Sequence, residues 1–96
     1  MTKGTVIVRH KVKDFNVWKP YFLGDSKRQR DAGFTRWQIM RNVNDKNEAI
    51  IIFESNDLDK AKPLLSDASL AELMKKAGVV DQPTIFVLQH DDAGNL

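Results

Sequence analysis

The chain has no cysteine. That one absence removes disulfides, thiolate nucleophiles, CxxC redox pairs and cysteine-based zinc sites, and it matches a reducing, cytoplasmic setting. Long hydrophobic runs are missing as well. The amino-terminal MTKGTVIVRH contains only the short apolar run Val6-Ile7-Val8, too short for a signal peptide or a membrane span, so no membrane association is expected. Charge of one sign is scarce: 15 basic residues against 13 acidic ones give a net charge of +2. That is far from a nucleic-acid footprint. The densest basic run, KRQR at Lys27 to Arg30, is bracketed by Asp25 and Asp31 and reads as a solvated helix end whose cations complement the helix dipole. The five glycines are scattered, so no phosphate-cradling loop is expected. The aromatic strand motif of RNA-recognition modules, the GxSxG elbow and a Ser-His-Asp grouping are also absent. The acidic residues fall at helix caps, loops and the tail, which gives paired-carboxylate catalysis no support.

What is present is the composition of a single globular domain: 96 residues, 42% apolar and 29% charged. Thr5 to Lys13 alternates with period two and reads as a strand. Asp14 is a good N-cap, and Phe15, Trp18 and Phe22 follow at i, i+3 and i+7, one helical face. Gly33 suits the left-handed position that ends the helix. Phe34 to Arg41 is a second strand, and NVNDKN at Asn42 to Asn47 a hairpin loop. Ala49 to Phe53 (AIIIF) reads as a strand covered on both faces. Asp57 caps a second helical region reaching Ala77, with Gly78 behind it. Thr84 to His90 forms the last strand, and DDAGNL, residues 91–96, a flexible tail.

The order βαββαβ is reinforced by an internal echo. DFNVWKPYF at Asp14 to Phe22 matches DLDKAKPLL at Asp57 to Leu65, and the doublets Ala32-Gly33 and Ala77-Gly78 follow at nearly the same offset. Two copies of one βαβ unit imply a ferredoxin-like α+β sandwich over residues 1–90, with strand order 4-1-3-2 and both helices on one sheet face. Pro20 and Pro63 share a position in the echo, which predicts that each opens a fresh helical segment, where proline is tolerated. Helices on one face leave the other bare. Yet Ile50 and Ile52, Phe86 and Leu88 are as apolar as the alternate sets Ala49, Ile51, Phe53 and Ile85, Val87. A homodimer that pairs two sheets face to face as an α+β barrel is therefore expected.

HKVKDFNVWKPYF, the segment ending in RDAGF, EAIIIFESNDLDKAKPLL and KKAGVVDQPTIFVL together resemble the dimeric α+β-barrel superfamily. This group holds antibiotic-biosynthesis-monooxygenase-like proteins and small bacterial cyclase-like proteins, and the resemblance runs from Val6 to Leu88. It implies a range of activities: cofactor-independent oxygenation of aromatic polyketides, haem degradation, small-molecule sensing or none known. No complete catalytic set of an oxygenase branch matches this sequence, so no catalytic role is carried over.

His10 is the sharpest site residue. It shares strand parity with Val6, Val8 and Val12, and if that set faces the helices, Trp18, Tyr21 and Phe22 are its neighbours. It then serves either as a general base or hydrogen-bond partner of a phenolic ligand, or as a strand-end histidine bonded to the backbone. Trp18 and Trp37 are either cavity walls or core. Arg41, on the parity of Trp37, could anchor an anionic group or close a dimer ion pair. The second half of helix one, GDSKRQRD, has no large apolar residue; the favoured reading is that it overhangs solvent, the other that it leaves space for a ligand. His10 and His90 fall at opposite strand ends, so no metal site is expected, and no cofactor is predicted. Together these residues point to a small hydrophobic or aromatic ligand bound by His10, Trp18, Tyr21, Phe22, Trp37 and Arg41. The resemblance adds three readings: a cofactor-independent monooxygenase or cyclase using His10, a non-catalytic sensor, or a haem-degrading enzyme.

Overall fold

In the computed structural model, which describes residues 2–96, the alternating segments pair into one antiparallel sheet. Strand β1 (Gly4–Lys11) lies beside β3 (Asp45–Ser55); β2 (Phe34–Asn42) flanks β3, and β4 (Thr84–Gln89) flanks β1. This is the expected ferredoxin-like order. Four helices, α1 (Phe15–Leu23), α2 (Ser26–Asp31), α3 (Leu58–Leu65) and α4 (Ala68–Lys76), fill the two connections in pairs. Asp14 and Asp57 cap α1 and α3, accepting hydrogen bonds from the backbone N–H of Asn16 (2.9 Å) and Asp59 (3.1 Å). Gly33 and Gly78 hold φ of +86° and +92° behind the second helix of each pair, a left-handed conformation that a Cβ disfavours.

Two local expectations are corrected. Pro20 and Pro63 do not open new helices; they lie inside α1 and α3. Each removes one backbone hydrogen bond, and the helix stops within a turn beyond it, at Leu23 and Leu65 respectively. The hairpin loop is also shorter than NVNDKN, because β3 already begins at Asp45 and only Val43 and Asn44 remain between the strands. Side chains tighten it: Asn42 Oδ1 accepts from the Asn44 N–H (2.9 Å) and Asp45 Oδ1 from the Asn47 N–H (3.0 Å).

The period of two divides the sheet into unlike faces. On the helix side, Val6, Val8 and His10 of β1 and Ala49, Ile51 and Phe53 of β3 are all buried. On the outer side, Gln38, Ile52, Ile7 and Phe86 form a row across the four strands, with Met40, Ile50 and Leu88 on the same face. Phe86 is 51% exposed. At one end of this face, Arg9 bonds Glu48 (2.7 Å) and approaches Asp81 (3.5 Å); the Arg9 hydrogen bond holds the Glu48 carboxyl below its usual range. The helix layer stops short of β4, where Ile85 and Val87 are exposed on the helix side as well.

The end of β1 is fixed from two directions. Val12 N–H donates to Asn47 O (2.8 Å) and Lys13 N–H to Gly78 O (2.8 Å). Asn47 Oδ1 also accepts from the Phe15 N–H (3.1 Å), so the β2–β3 hairpin sets where α1 starts. That contact brings the aromatic face of α1 down over His10.

Candidate functional site

The site grows from the aromatic face of α1. Phe15 and Trp18 are buried, and Trp18 meets the His10 ring edge-on at 5.4 Å between centroids. Trp18 stacks on Phe22 (5.3 Å), and Phe22 in turn packs against Phe53 of β3 (5.8 Å). Between this face, the sheet and the second helix pair lies a cavity of about 80 Å³. Val8, Ile51 and Phe53 form its floor, while Leu64 and Leu65 of α3 and Leu70, Leu73 and Met74 of α4 form the opposite wall. His10, Trp18, Tyr21 and Phe22 all line it.

His10 is 2% exposed, and its Nδ1 has no hydrogen-bond partner within the protein. An unpaired buried polar atom costs about 1–3 kcal/mol, so the site is primed for a partner from outside the chain. Burial pushes the His10 pKa below its ordinary value, and the charge of Asp81 only partly opposes this. The imidazole is therefore neutral at neutral pH.

Trp37 and Arg41 lie elsewhere. Phe22 stands between Trp37 and the cavity, meeting the indole edge-on at 5.4 Å. Arg41 places its guanidinium 4.2 Å above the Phe15 ring, a cation–π contact. Both residues border an open hollow with Phe15, Lys19, Gln38 and Ile39. Their strand parity does face the helices, but β2 is an edge strand that α1 covers only in part. His90 lies on the outer face, exposed, with Nε2 2.7 Å from Thr5 Oγ1 and 3.3 Å from Glu54 Oε2. It is thus remote from His10, as the antiparallel register requires.

Two polar residues of the cavity wall were not among those singled out in the sequence. Gln29 is buried at 7% exposure, and its Nε2 donates to Phe22 O (3.4 Å). The polar second half of the first helical region thus does not overhang solvent. The chain turns at Gly24 and Asp25 and lays α2 back on the sheet. Asp25 also lines the cavity; burial raises its carboxyl pKa and Arg28 opposes the rise. The signal for Gln29 was its place on the inward face. Nothing in the sequence marked Asp25, because no helix start was expected there.

This fold recurs in solved structures. SnoaB, a cofactor-independent oxygenase from Streptomyces nogalater, superposes with a TM-score of 0.68 at 17% identity, covering 95% of this chain and 97% of that one. The fold is that of the antibiotic biosynthesis monooxygenase-like proteins. A Bordetella bronchiseptica protein provisionally named for that activity gives a TM-score of 0.74 at 11% identity, covering 95% and 99% of the two chains. NE2512, a protein of unknown function from Nitrosomonas europaea, gives 0.71 at 18% identity, covering 100% and 96%. At these identities the likeness is one of fold. No family model matches the sequence and no curated protein is similar to it. Among the described residues, no helix is long and apolar enough to cross a membrane.

Proposed function

We propose that this protein is a homodimer that binds a small, largely apolar aromatic molecule in the cavity beneath α1, with His10 as the hydrogen-bonding group. The observation that carries this reading is the buried, unpartnered His10 Nδ1 beside a largely apolar, aromatic-walled space. A ligand hydroxyl satisfies it, since a hydroxyl both donates and accepts and so fits either imidazole tautomer. The same geometry supports chemistry. A neutral imidazole beside a phenol is a general base, and the phenolate it generates holds the electron density that a cofactor-independent oxygenation uses. SnoaB, of like fold, is a cofactor-independent oxygenase.

The outer sheet face supports the dimer. The row containing Ile52, Ile7 and Phe86, with Met40 and Leu88 alongside, is the kind of contiguous apolar surface that a second sheet covers. Light scattering after size exclusion should give twice the chain mass, and a monomer at micromolar concentration would rule the pairing out. Oxygen uptake over a panel of phenols and diphenols tests the chemistry. His10→Ala should abolish turnover, and turnover unaffected by that change removes the proton-transfer role.

A further inference from the structure

Each of the four helices is preceded by an aspartate, and three of the four behave alike. Asp14, Asp57 and Asp67 have extended backbones, and their carboxylates accept from the N–H two residues on. Asp25 does not. Because α2 follows α1 almost directly, Asp25 sits at φ −97°, ψ 13° and makes no side-chain cap bond. An N-cap needs an extended backbone to turn its side chain onto the helix, so this carboxylate is released for another use. It is held by Arg28 Nε at 3.2 Å, with its side chain only 13% exposed, and it borders both the cavity and a hollow on the outer surface. Arg28 also donates to Ser69 Oγ of α4 (2.9 Å), which keeps this end of the cavity closed across the two helix pairs.

The cavity lining therefore carries two polar groups from separate parts of the chain. His10 comes from β1, beside Trp18. Asp25 comes from the turn beyond the end of α1, seven residues after Trp18. Between them the lining is aromatic and aliphatic, with Gln29 already bonded to Phe22 O. We propose that Asp25 is a second, specificity-determining anchor that accepts a hydrogen bond from the far end of the ligand, so that the cavity selects aromatic molecules with hydroxyl groups at both ends. This rests on the reading of the cavity as a binding site for aromatic hydroxyl compounds. A carboxylate is acceptor-only, so a ligand group that meets Asp25 beside its Arg28 contact must be a donor, which an ether or a bare ring edge is not. The present volume, about 80 Å³, is about half that of an engineered apolar cavity that takes up benzene. Any such ligand must displace the α3–α4 wall outwards, and the Arg28–Ser69 bond is the polar contact that has to yield.

The test is calorimetric titration of the full chain at neutral pH with phenol against hydroquinone, and with 2-naphthol against 2,6-dihydroxynaphthalene. In at least one pair the diol should bind about tenfold more tightly than the mono-ol, as one hydrogen bond to a charged acceptor predicts. In Asp25→Ala the ratio should fall to about twofold, the statistical advantage of a second hydroxyl at His10 alone. A ligand-side control needs no variant: 6-methoxy-2-naphthol should bind the native protein like 2-naphthol. Equal affinities for diol and mono-ol in the native protein overturn the role of Asp25 while leaving the His10 site standing. So does a diol advantage that survives in Asp25→Ala. Failure of every hydroxyl compound to bind overturns the site and this inference together.

Discussion

The two helix pairs descend from matching sequence segments, yet they hold the sheet in different ways. In the first pair, α1 buries Phe15 and Trp18 and runs an aromatic ladder through Phe22 to Phe53. In the second, α3 buries Leu58 and the small Ala61, and α4 buries nothing fully; its Leu70, Leu73 and Met74 are half-buried around the cavity. Trp18 and Ala61 stand at the same place in the echo. Where one copy has a large ring that lines the cavity, the other has a methyl group buried in the core away from it. One wall is thus closely buried and the other only half-buried, which predicts a firmer first wall and a looser second. A repeat of this sort supplies the scaffold from its shared residues and the site from the positions where the copies diverge.

The contrast can be broken most forcefully at Trp18. Trp18→Ala should cost about 3–5 kcal/mol, whereas Leu73→Ala, at a half-buried position on the loose wall, should cost about 1–2 kcal/mol. Urea denaturation of both variants measures the difference, and equal losses would mean that the two walls are equally firm.

The paired glycines sharpen the comparison on a smaller scale. Gly33→Ala and Gly78→Ala each force a left-handed alanine, at about 1–2 kcal/mol. The Gly33 change should be the costlier, since its new Cβ meets Asn56 Oδ1 at 3.1 Å, while at Gly78 the nearest atom is Lys13 Cβ at 3.6 Å. Thermal melts of the two variants rank them.

A subtler effect is expected at Arg28. Removing this partly exposed side chain should change global stability by at most about 1 kcal/mol. Amide hydrogen exchange in α4 should nevertheless quicken more than in α1, because Arg28 to Ser69 is the only side-chain hydrogen bond between the helix pairs among the described residues. Uniform exchange across both pairs would show that the loose wall is not held there.

The last difference is one of slope. The pKa of His10 is lowered in the folded chain from its ordinary 6.5, so the unfolded chain takes up the proton first as pH falls. The fold keeps this contribution above about pH 6.5 and loses it as the pH drops toward the folded value. In His10→Leu the acid limb of stability against pH should be shallower than in the native protein, and an unchanged limb would show that His10 titrates freely in the fold.

The fold was largely legible from local pattern. Alternation located the strands, the capping aspartates located the starts of α1 and α3, and the Ala-Gly doublets marked where each helix pair ends. The site was half legible. Strand parity put His10 among Val6, Val8 and Val12, and helical spacing put Trp18 and Phe22 above it. Parity could not reveal that Phe22 would screen Trp37, because that depends on how far α1 reaches across an edge strand. Asp25 was hidden by the break between α1 and α2 at Gly24. Such a break is a property of the folded helix and leaves no periodicity of its own.

The alternation of β1 has a further consequence for how this chain can vary. Val6, Val8 and His10 supply the cavity side, while Ile7 and Arg9 supply the outer face, all within one short strand at the centre of the sheet. Inserting or deleting a single residue there would exchange the two sets at once. His10 would be carried to the outer surface and Arg9 into the apolar floor. Lineages of this protein should therefore accept length changes at the Val43–Asn44 turn or in the tail long before they accept one between Gly4 and Lys11.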